Sequence, residues 1–444
     1  MSKKLVVISF LLMLFSVSYA QEKMNDRVVD IQSYQLFREE KWPELIQLSE
    51  EARAQGIDFY YLQYRTGIAW YKQGKYRKAC QYFIDAYAKD QSDNWLQEYV
   101  YYSLLFSGRK LEANKYISSF SQEVKEKIGL RKTAVDFLAY ETNYGFNQDF
   151  DELRGRDFSS EVNLGEDYGE GYFLKSYTQQ SLDLSHHIGS NFTVNHNLSY
   201  YHVTRDAIVN WGKQTSSPIR VNQFNYYINP AWVIGKKFNI SPSLLYIWGT
   251  SDVYAGKLIN NYKDKVFDLK EFKYSDYVFS TAFWSDFGNV SPGLELNIGN
   301  INNLDFKQLS AWITYYPLSN TKLFIRPRVY FKSSPEESFA FNTFEISAGA
   351  SIGKIYISGQ YLRGDMKNFV ESTGYTVFNL PGKSDYKIMG SIYFPIDKKY
   401  QFVLRYINRS VKENYQVYTL GEKSTNLEYK YLIHTITAGI SWKF

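Results

Sequence analysis

Across 444 residues the chain has one cysteine, Cys80, and only five histidines, five methionines and ten prolines. A single cysteine excludes an intramolecular disulfide. Its place deep in the chain implies that it anchors no lipid, and it reads as a small apolar helix residue. After residue 20 no stretch approaches the ~20 apolar residues of a membrane helix, so no helical span is expected. His186 and His187 are neighbours whose side chains diverge on a strand, and His196 and His202 stand roughly 20 Å apart along an extended chain. Neither pair chelates a metal by itself. There is no Gly-x-Ser-x-Gly elbow and no phosphate-cradling glycine loop. No enzyme, metal or cofactor is expected.

What is abundant is aromatic: 41 Tyr and 31 Phe, with 44% hydrophobic residues and yet a mean hydropathy of −0.40. At the N-terminus, Lys3 and Lys4 precede an apolar run from Leu5 to Phe15, and Ser18-Tyr-Ala20 offers small residues for a peptidase. Residues 1–20 therefore read as an export signal. The net charge of +5 falls to +3 without Lys3 and Lys4, a mild excess that argues against nucleic acid as a partner.

From about residue 26 to 128 the apolar period is helical. Gly67, Trp70, Gly74, Tyr76, Ala79, Phe83 and Ala86 stand where a tetratricopeptide repeat places its small and aromatic residues, although Gln91 replaces the usual proline. This stretch resembles that family. Moving 34 residues onward gives Gly108, Ala113 and Ile117, and moving 34 back gives Trp42, Ala52 and Leu36. Three repeats are implied, near the minimum for a stable stack. The resemblance puts Arg27, Asp30, Tyr34, Arg38, Tyr61, Tyr64, Tyr71, Lys72, Trp95, Glu98 and Tyr102 on a groove that would hold a periplasmic protein or a glycan. The alternative is that these rings only pack between repeats.

From about residue 131 to 444 strand alternation takes over, with about fourteen segments joined by turns of unequal length. Residues 147–169, 207–219, 253–272, 365–383 and 414–424 read as long external loops, and no separate plug domain is evident. In the last segment Leu432, Ile436, Ala438, Ile440, Trp442 and Phe444 share one face. Thr437, Gly439, Trp442 and the terminal Phe444 resemble the insertion signal of bacterial outer-membrane barrels, which implies barrel-assembly machinery and outer-membrane lipids as partners. The expected fold is an α-helical repeat domain followed by a transmembrane antiparallel β-barrel of about fourteen strands.

Alternation sends Lys322, Arg326, Arg328, Arg405, Arg409, Glu295, Glu345 and Asp183 into the lumen, since charge on the lipid face is costly. Two readings stay open: a basic lining that guides an anionic solute, or a paired network that blocks the bore. In layout the chain is similar to the surface lipoprotein assembly modifiers and to exopolysaccharide export barrels. That likeness implies export or surface assembly of a macromolecule from the outer membrane, with the helical domain in the periplasm. A non-conducting scaffold and a passive solute channel are the alternatives.

Overall fold

The computed structural model describes residues 24–129, 134–165, 167–235, 237–259, 264–335, 337–380, 382–419 and 422–444. The export signal read at residues 1–20 and the boundary read at 131–133 lie outside the described residues. Two compact units emerge, one running to residue 108 and resuming at 119–128, the other comprising 109–118 and 129–444.

Seven helices occupy the N-terminal stretch: α1 (Asp26–Arg38), α2 (Trp42–Ala54), α3 (Tyr60–Lys72), α4 (Tyr76–Lys89), α5 (Asn94–Phe106), α6 (Lys110–Ile117) and α7 (Gln122–Lys127). The starts of α1, α3 and α5 are spaced by 34 residues, and so are those of α2, α4 and α6. Helix α6 groups with the second unit. Asn25 and Asp93 cap α1 and α5 through their side-chain oxygens, which satisfies otherwise orphan N–H groups. Gly74 turns left-handed at φ 70° to end α3, while the Lys75 N–H reaches back to the Trp70 carbonyl at 2.9 Å. Gly67 is required by packing, because a Cβ there would stand 2.5 Å from the Phe83 ring. Leu62, Ala69, Ala79, Phe83 and Ala86 are fully buried, Leu62 against Val29 and Ala52 of α1 and α2, and Ala69 against Leu45 and Ile46 of α2.

The second unit is a closed antiparallel barrel of fourteen strands. They are β1 (Val135–Asn147), β2 (Tyr168–Ile188), β3 (Phe192–Asn210), β4 (Gln214–Ile234), β5 (Phe238–Ile259), β6 (Asp264–Ser285), β7 (Val290–Ile301), β8 (Leu304–Tyr315), β9 (Leu323–Ser334), β10 (Glu337–Ile352), β11 (Ile355–Gly364), β14 (Lys383–Pro395), β15 (Tyr400–Thr419) and β16 (Glu422–Lys443). Between β11 and β14 lies a separate hairpin, β12 (Phe369–Glu371) and β13 (Thr376–Phe378). The last strand closes the barrel on the first, with Ile440 opposite Tyr140 and Trp442 opposite Leu138.

Several strands are polar inward and apolar outward. On β4 the buried Asn225 alternates with exposed Phe224 and Tyr226; on β7 the buried Glu295 and Asn297 alternate with exposed Leu294, Leu296 and Ile298. Such an inverted pattern leaves the barrel exterior apolar and its bore hydrogen-bonded.

Three of the loops expected from sequence are strands instead. β3 and β4 run through most of 207–219, β5 and β6 through most of 253–272, and β15 and β16 through most of 414–424. Charged residues such as Asp252, Lys270 and Glu271 hid these extensions, since a strand beyond an apolar belt need not keep an apolar face. The remaining two loops fold. Residues 148–165 contain two short helices, α8 (Phe150–Gly155) and α9 (Phe158–Glu161), and residues 365–380 enter the bore.

Candidate functional site

The bore is crossed by residues 365–380, which lumen-facing side chains hold from several sides. Gln308 on β8 grips Val370 twice, its amide donating to the carbonyl at 2.7 Å and accepting the N–H at 3.2 Å. Glu295 on β7 accepts the Thr373 N–H at 3.1 Å and its hydroxyl at 3.2 Å. The Tyr227 hydroxyl on β4 donates to the Thr373 carbonyl at 3.1 Å, as does that of Ser243 on β5. Farther along, the Tyr375 hydroxyl donates to Asp183 on β2 at 2.9 Å, and Lys387 on β14 pairs with Glu371 at 2.7 Å. Apolar contacts add Phe369, Phe378 and Met366 against Tyr330 and Leu362.

At the tip the backbone is strained. Ser372 and Thr373 hold φ of 54° and 56°, the left-handed region that costs a non-glycine residue of order 1 kcal/mol or more. Gly374 follows at φ 84°, where a Cβ would stand 2.7 Å from the Ser280 hydroxyl. The surrounding hydrogen bonds over-determine a conformation the segment would not adopt alone.

A second closure lies where β15 and β16 project beyond β1. Phe158 of α9 is fully buried, stacked on Tyr415 at 4.9 Å and close to Phe173 at 5.3 Å. Leu153, Leu164, Val411, Tyr429, Tyr431 and Ile433 complete this apolar cluster. At its edge Arg205 pairs with Glu413 at 3.1 Å, and the hydroxyls of Tyr429 and Tyr431 donate to the same carboxylate.

A cavity of about 610 Å³ opens beside the segment, bounded by Tyr375, Phe378 and Asn379 on one side and by lumen-facing residues of β1–β6 and β14–β16 on the others. Its volume is in the range of small-molecule sites, about 300–1,000 Å³.

The lumen residues named from sequence divide into three groups. Arg328 pairs with the fully buried Glu295 at 3.3 Å and lies 4.2 Å over the Trp312 ring, while Glu345 accepts the Tyr330 hydroxyl. Arg405 pairs at 2.9 Å with Glu141 on β1, a carboxylate the sequence reading did not name. Arg326 donates to the Thr314 hydroxyl at 2.7 Å, and Arg409 stands 5.4 Å from the Phe378 ring centre. Lys322 falls outside the lumen positions: it is exposed in the turn before β9, whose first residue is Leu323. The strand simply starts one residue later than its alternation suggests.

In β16, Thr437 is buried on the lumen side, while Trp442 meets Tyr400 at 6.5 Å and Phe444 is exposed. Gly439 has a local reason: a Cβ there would stand 2.6 Å from Glu141 Cγ, so glycine leaves the room in which Glu141 reaches Arg405.

In the helical unit the named aromatics separate by burial. Tyr34, Tyr61 and Trp95 are exposed, whereas Tyr64, Tyr71 and Tyr102 are half-buried. Tyr71 meets Tyr76 at 5.0 Å, Tyr99 at 5.2 Å and Phe106 at 6.4 Å; Tyr102 stacks on Phe106 at 5.9 Å, and Tyr64 meets Tyr60 and Tyr99. Tyr60, Tyr99 and Phe106 thus join rings that the repeat spacing alone did not connect. Arg65 lies between Tyr34 and Tyr61, about 5 Å from each ring, and pairs with Asp30 at 2.7 Å. Lys127 covers Trp95 at 4.5 Å and pairs with Glu98 at 2.6 Å. Arg27, Arg38 and Lys72 are exposed.

The histidines show a cross-strand relation that spacing along one strand misses. His186 on β2 and His196 on β3 stack at 5.2 Å, with their Nε2 atoms 3.1 Å apart. Among the described residues no group of three or more His, Cys, Asp or Glu side chains could hold a metal ion.

No protein-family model matches the chain, and no curated protein matches it. Among solved structures it aligns with a FadL homologue of Pseudomonas aeruginosa at 7% identity and a TM-score of 0.43, over 70% of this chain and 90% of that one. The toluene transporter TodX of Pseudomonas putida aligns at 6% identity and 0.43, over 70% and 90% respectively. The translocator domain of the autotransporter NalP from Neisseria meningitidis aligns at 8% identity and 0.29, over 77% and 99%. With every one of these scores below 0.5, no conclusion about this chain rests on them.

Proposed function

We propose that the chain is an outer-membrane barrel that passes a small polar solute and is gated by its own 365–380 segment. The observation that carries this reading is a strained segment latched by polar side chains next to a cavity lined by both polar and apolar side chains. The neutral hydrogen bonds at Gln308, Tyr227 and Ser243 each contribute only about 0.5–1.5 kcal/mol net and those to carboxylates about 1.5–3 kcal/mol, because water can replace them. The strain at Ser372 and Thr373 favours release once the latch yields.

The exterior supports a membrane placement. Phe192 packs against Trp232 at one level, and Tyr200 against Phe224 at another, eight residues along the same strands. At ~3.3 Å per residue and a tilt of ~40°, the two aromatic levels stand roughly 20 Å apart, close to the ~25 Å apolar band of outer-membrane barrels. Lipid is thus the solvent that an exterior of Leu, Ile, Phe and Tyr fits. On this reading the terminal strand meets the barrel-assembly machinery, and the helices, read as tetratricopeptide repeats, lie in the periplasm and receive a protein or glycan partner at Tyr34, Tyr61 and Trp95. No reaction is assigned to the chain.

Export of a macromolecule would require both the segment and the apolar cluster around Phe158 to leave the bore, whereas the cavity already has room for a small solute. A non-conducting scaffold is the second reading, favoured by that cluster, which packs like a permanent core. Planar-bilayer recording decides between them. Replacing residues 367–380 by a short Gly-Ser linker should turn brief, small openings into a sustained conductance. If the replaced protein, folded and inserted, conducts no more than the parent, the channel reading fails and the scaffold stands.

A further inference from the structure

Three cations beside the lumen cavity are neutralised within the protein: Arg405 by Glu141, Arg205 by Glu413 and Lys387 by Glu371. Arg409 is different. It lines the same cavity, and among the described residues no carboxylate pairs with it; its guanidinium stands over the Phe378 ring instead. The polar part of the cavity lining is mostly amide, hydroxyl and phenol, including Asn143, Asn225, Gln360, Tyr177 and Tyr274, and it is interspersed with aliphatic Leu245, Ile247, Met389 and Ile407. Two of these amides have buried carbonyl oxygens without a partner, Asn143 Oδ1 and Gln360 Oε1.

These features select a ligand class. An apolar molecule would leave the amides unpaired, at about 1–3 kcal/mol for each buried group. A polyanion would find a single unneutralised cation. Sugar rings suit the lining, because their hydroxyls both donate to and accept from amides while their C–H faces lie on aromatic rings. One acidic group would complete Arg409 through a charge-assisted, bidentate contact.

We infer that the lumen cavity binds a short saccharide carrying one carboxylate, held by Arg409, with its rings against the tyrosines and Phe378. As the identity of the passing solute this rests on the channel reading; as a binding site it does not.

The test is titration calorimetry on the detergent-purified full chain with an aldobiouronic acid (glucuronate linked to glucose), the neutral disaccharide cellobiose, and hexanoate. The acidic disaccharide should bind at least about tenfold more tightly than cellobiose, as expected for a hydrogen bond to a charged group, and hexanoate should not bind. Arg409→Gln should abolish that preference while cellobiose affinity stays the same. Absence of saccharide binding to folded protein, hexanoate binding as tight as the sugar's, or a preference that survives Arg409→Gln overturns the inference. If no sugar binds yet the linker variant conducts, only this inference falls. If sugar binds and the linker variant stays silent, only the channel reading falls.

Discussion

Glu295, fully buried in the barrel wall, accepts the backbone N–H of Thr373 on its Oε2 at 3.1 Å while Arg328 pairs with that same oxygen at 3.3 Å. One carboxylate therefore ties the inward segment to the wall's own charge network. Its two roles fail together when the charge is removed.

Glu295→Gln should leave Arg328 buried without its counter-charge and weaken the hold on Thr373. Breaking a buried pair from one side costs about 3–5 kcal/mol. The folded barrel should then unfold at a distinctly lower temperature in a heat-modifiability gel, and trypsin should nick the chain at Lys367 sooner. Unchanged cleavage alongside unchanged heat stability would mean that Glu295 is no anchor.

Tyr71 and Trp95 should respond oppositely to truncation. Tyr71 sits among Tyr76, Phe83, Tyr99 and Phe106, so Tyr71→Ala opens a void and should cost roughly 2–3 kcal/mol, visible as faster hydrogen exchange in α3 and α4. Trp95 is 64% exposed, so Trp95→Ala should cost under about 1 kcal/mol yet reduce capture of a periplasmic partner by the full chain. Equal destabilisation by both would make the exposed rings packing elements.

Alkaline pH should loosen the helical unit. Burial pushes the Tyr71 phenol from an ordinary value of 10.0 up to about 12, and burial likewise raises Tyr64 and Tyr99. Because the folded value lies above the unfolded one, the stability linked to neutral Tyr71 is fully present below pH 10 and is lost as pH rises through about 12. Circular dichroism followed with tyrosinate absorbance should show helix loss in that window, less of it in Tyr71→Phe. Ionisation of Tyr71 near pH 10 with the helices intact would contradict this.

Much of the architecture was legible because its periods are local. The 34-residue spacing from Tyr76 to Trp42 located helix starts, and the alternation Leu323, Ile325, Pro327, Val329 against Phe324, Arg326, Arg328, Tyr330 fixed which side of β9 faces the bore. What spacing cannot show is where a connection goes after it leaves a strand. Residues 365–383 read as an external loop, yet Met366, Phe369, Val370, Val377 and Phe378 are more apolar than a solvated loop requires, and that was the available signal. The same holds for Phe150, Leu153 and Phe158 in the first connection. Partner choice was likewise hidden: Arg405 meets Glu141, 264 residues away in sequence, because closure of the barrel brings β1 beside β16.

The gate requires residues 365–380 to lie in the bore. The most direct measurement is the labelling rate of a cysteine at Thr376 in a Cys80→Ser background on intact cells, using a maleimide carried on a large polyethylene glycol. Thr376 lines the cavity, whereas Lys213, substituted as a control, is exposed in the turn between β3 and β4. The account predicts rapid labelling at position 213 and none at 376 until the barrel is unfolded. Labelling at 376 as fast as at 213 would show that the segment is an external loop and would contradict the gate.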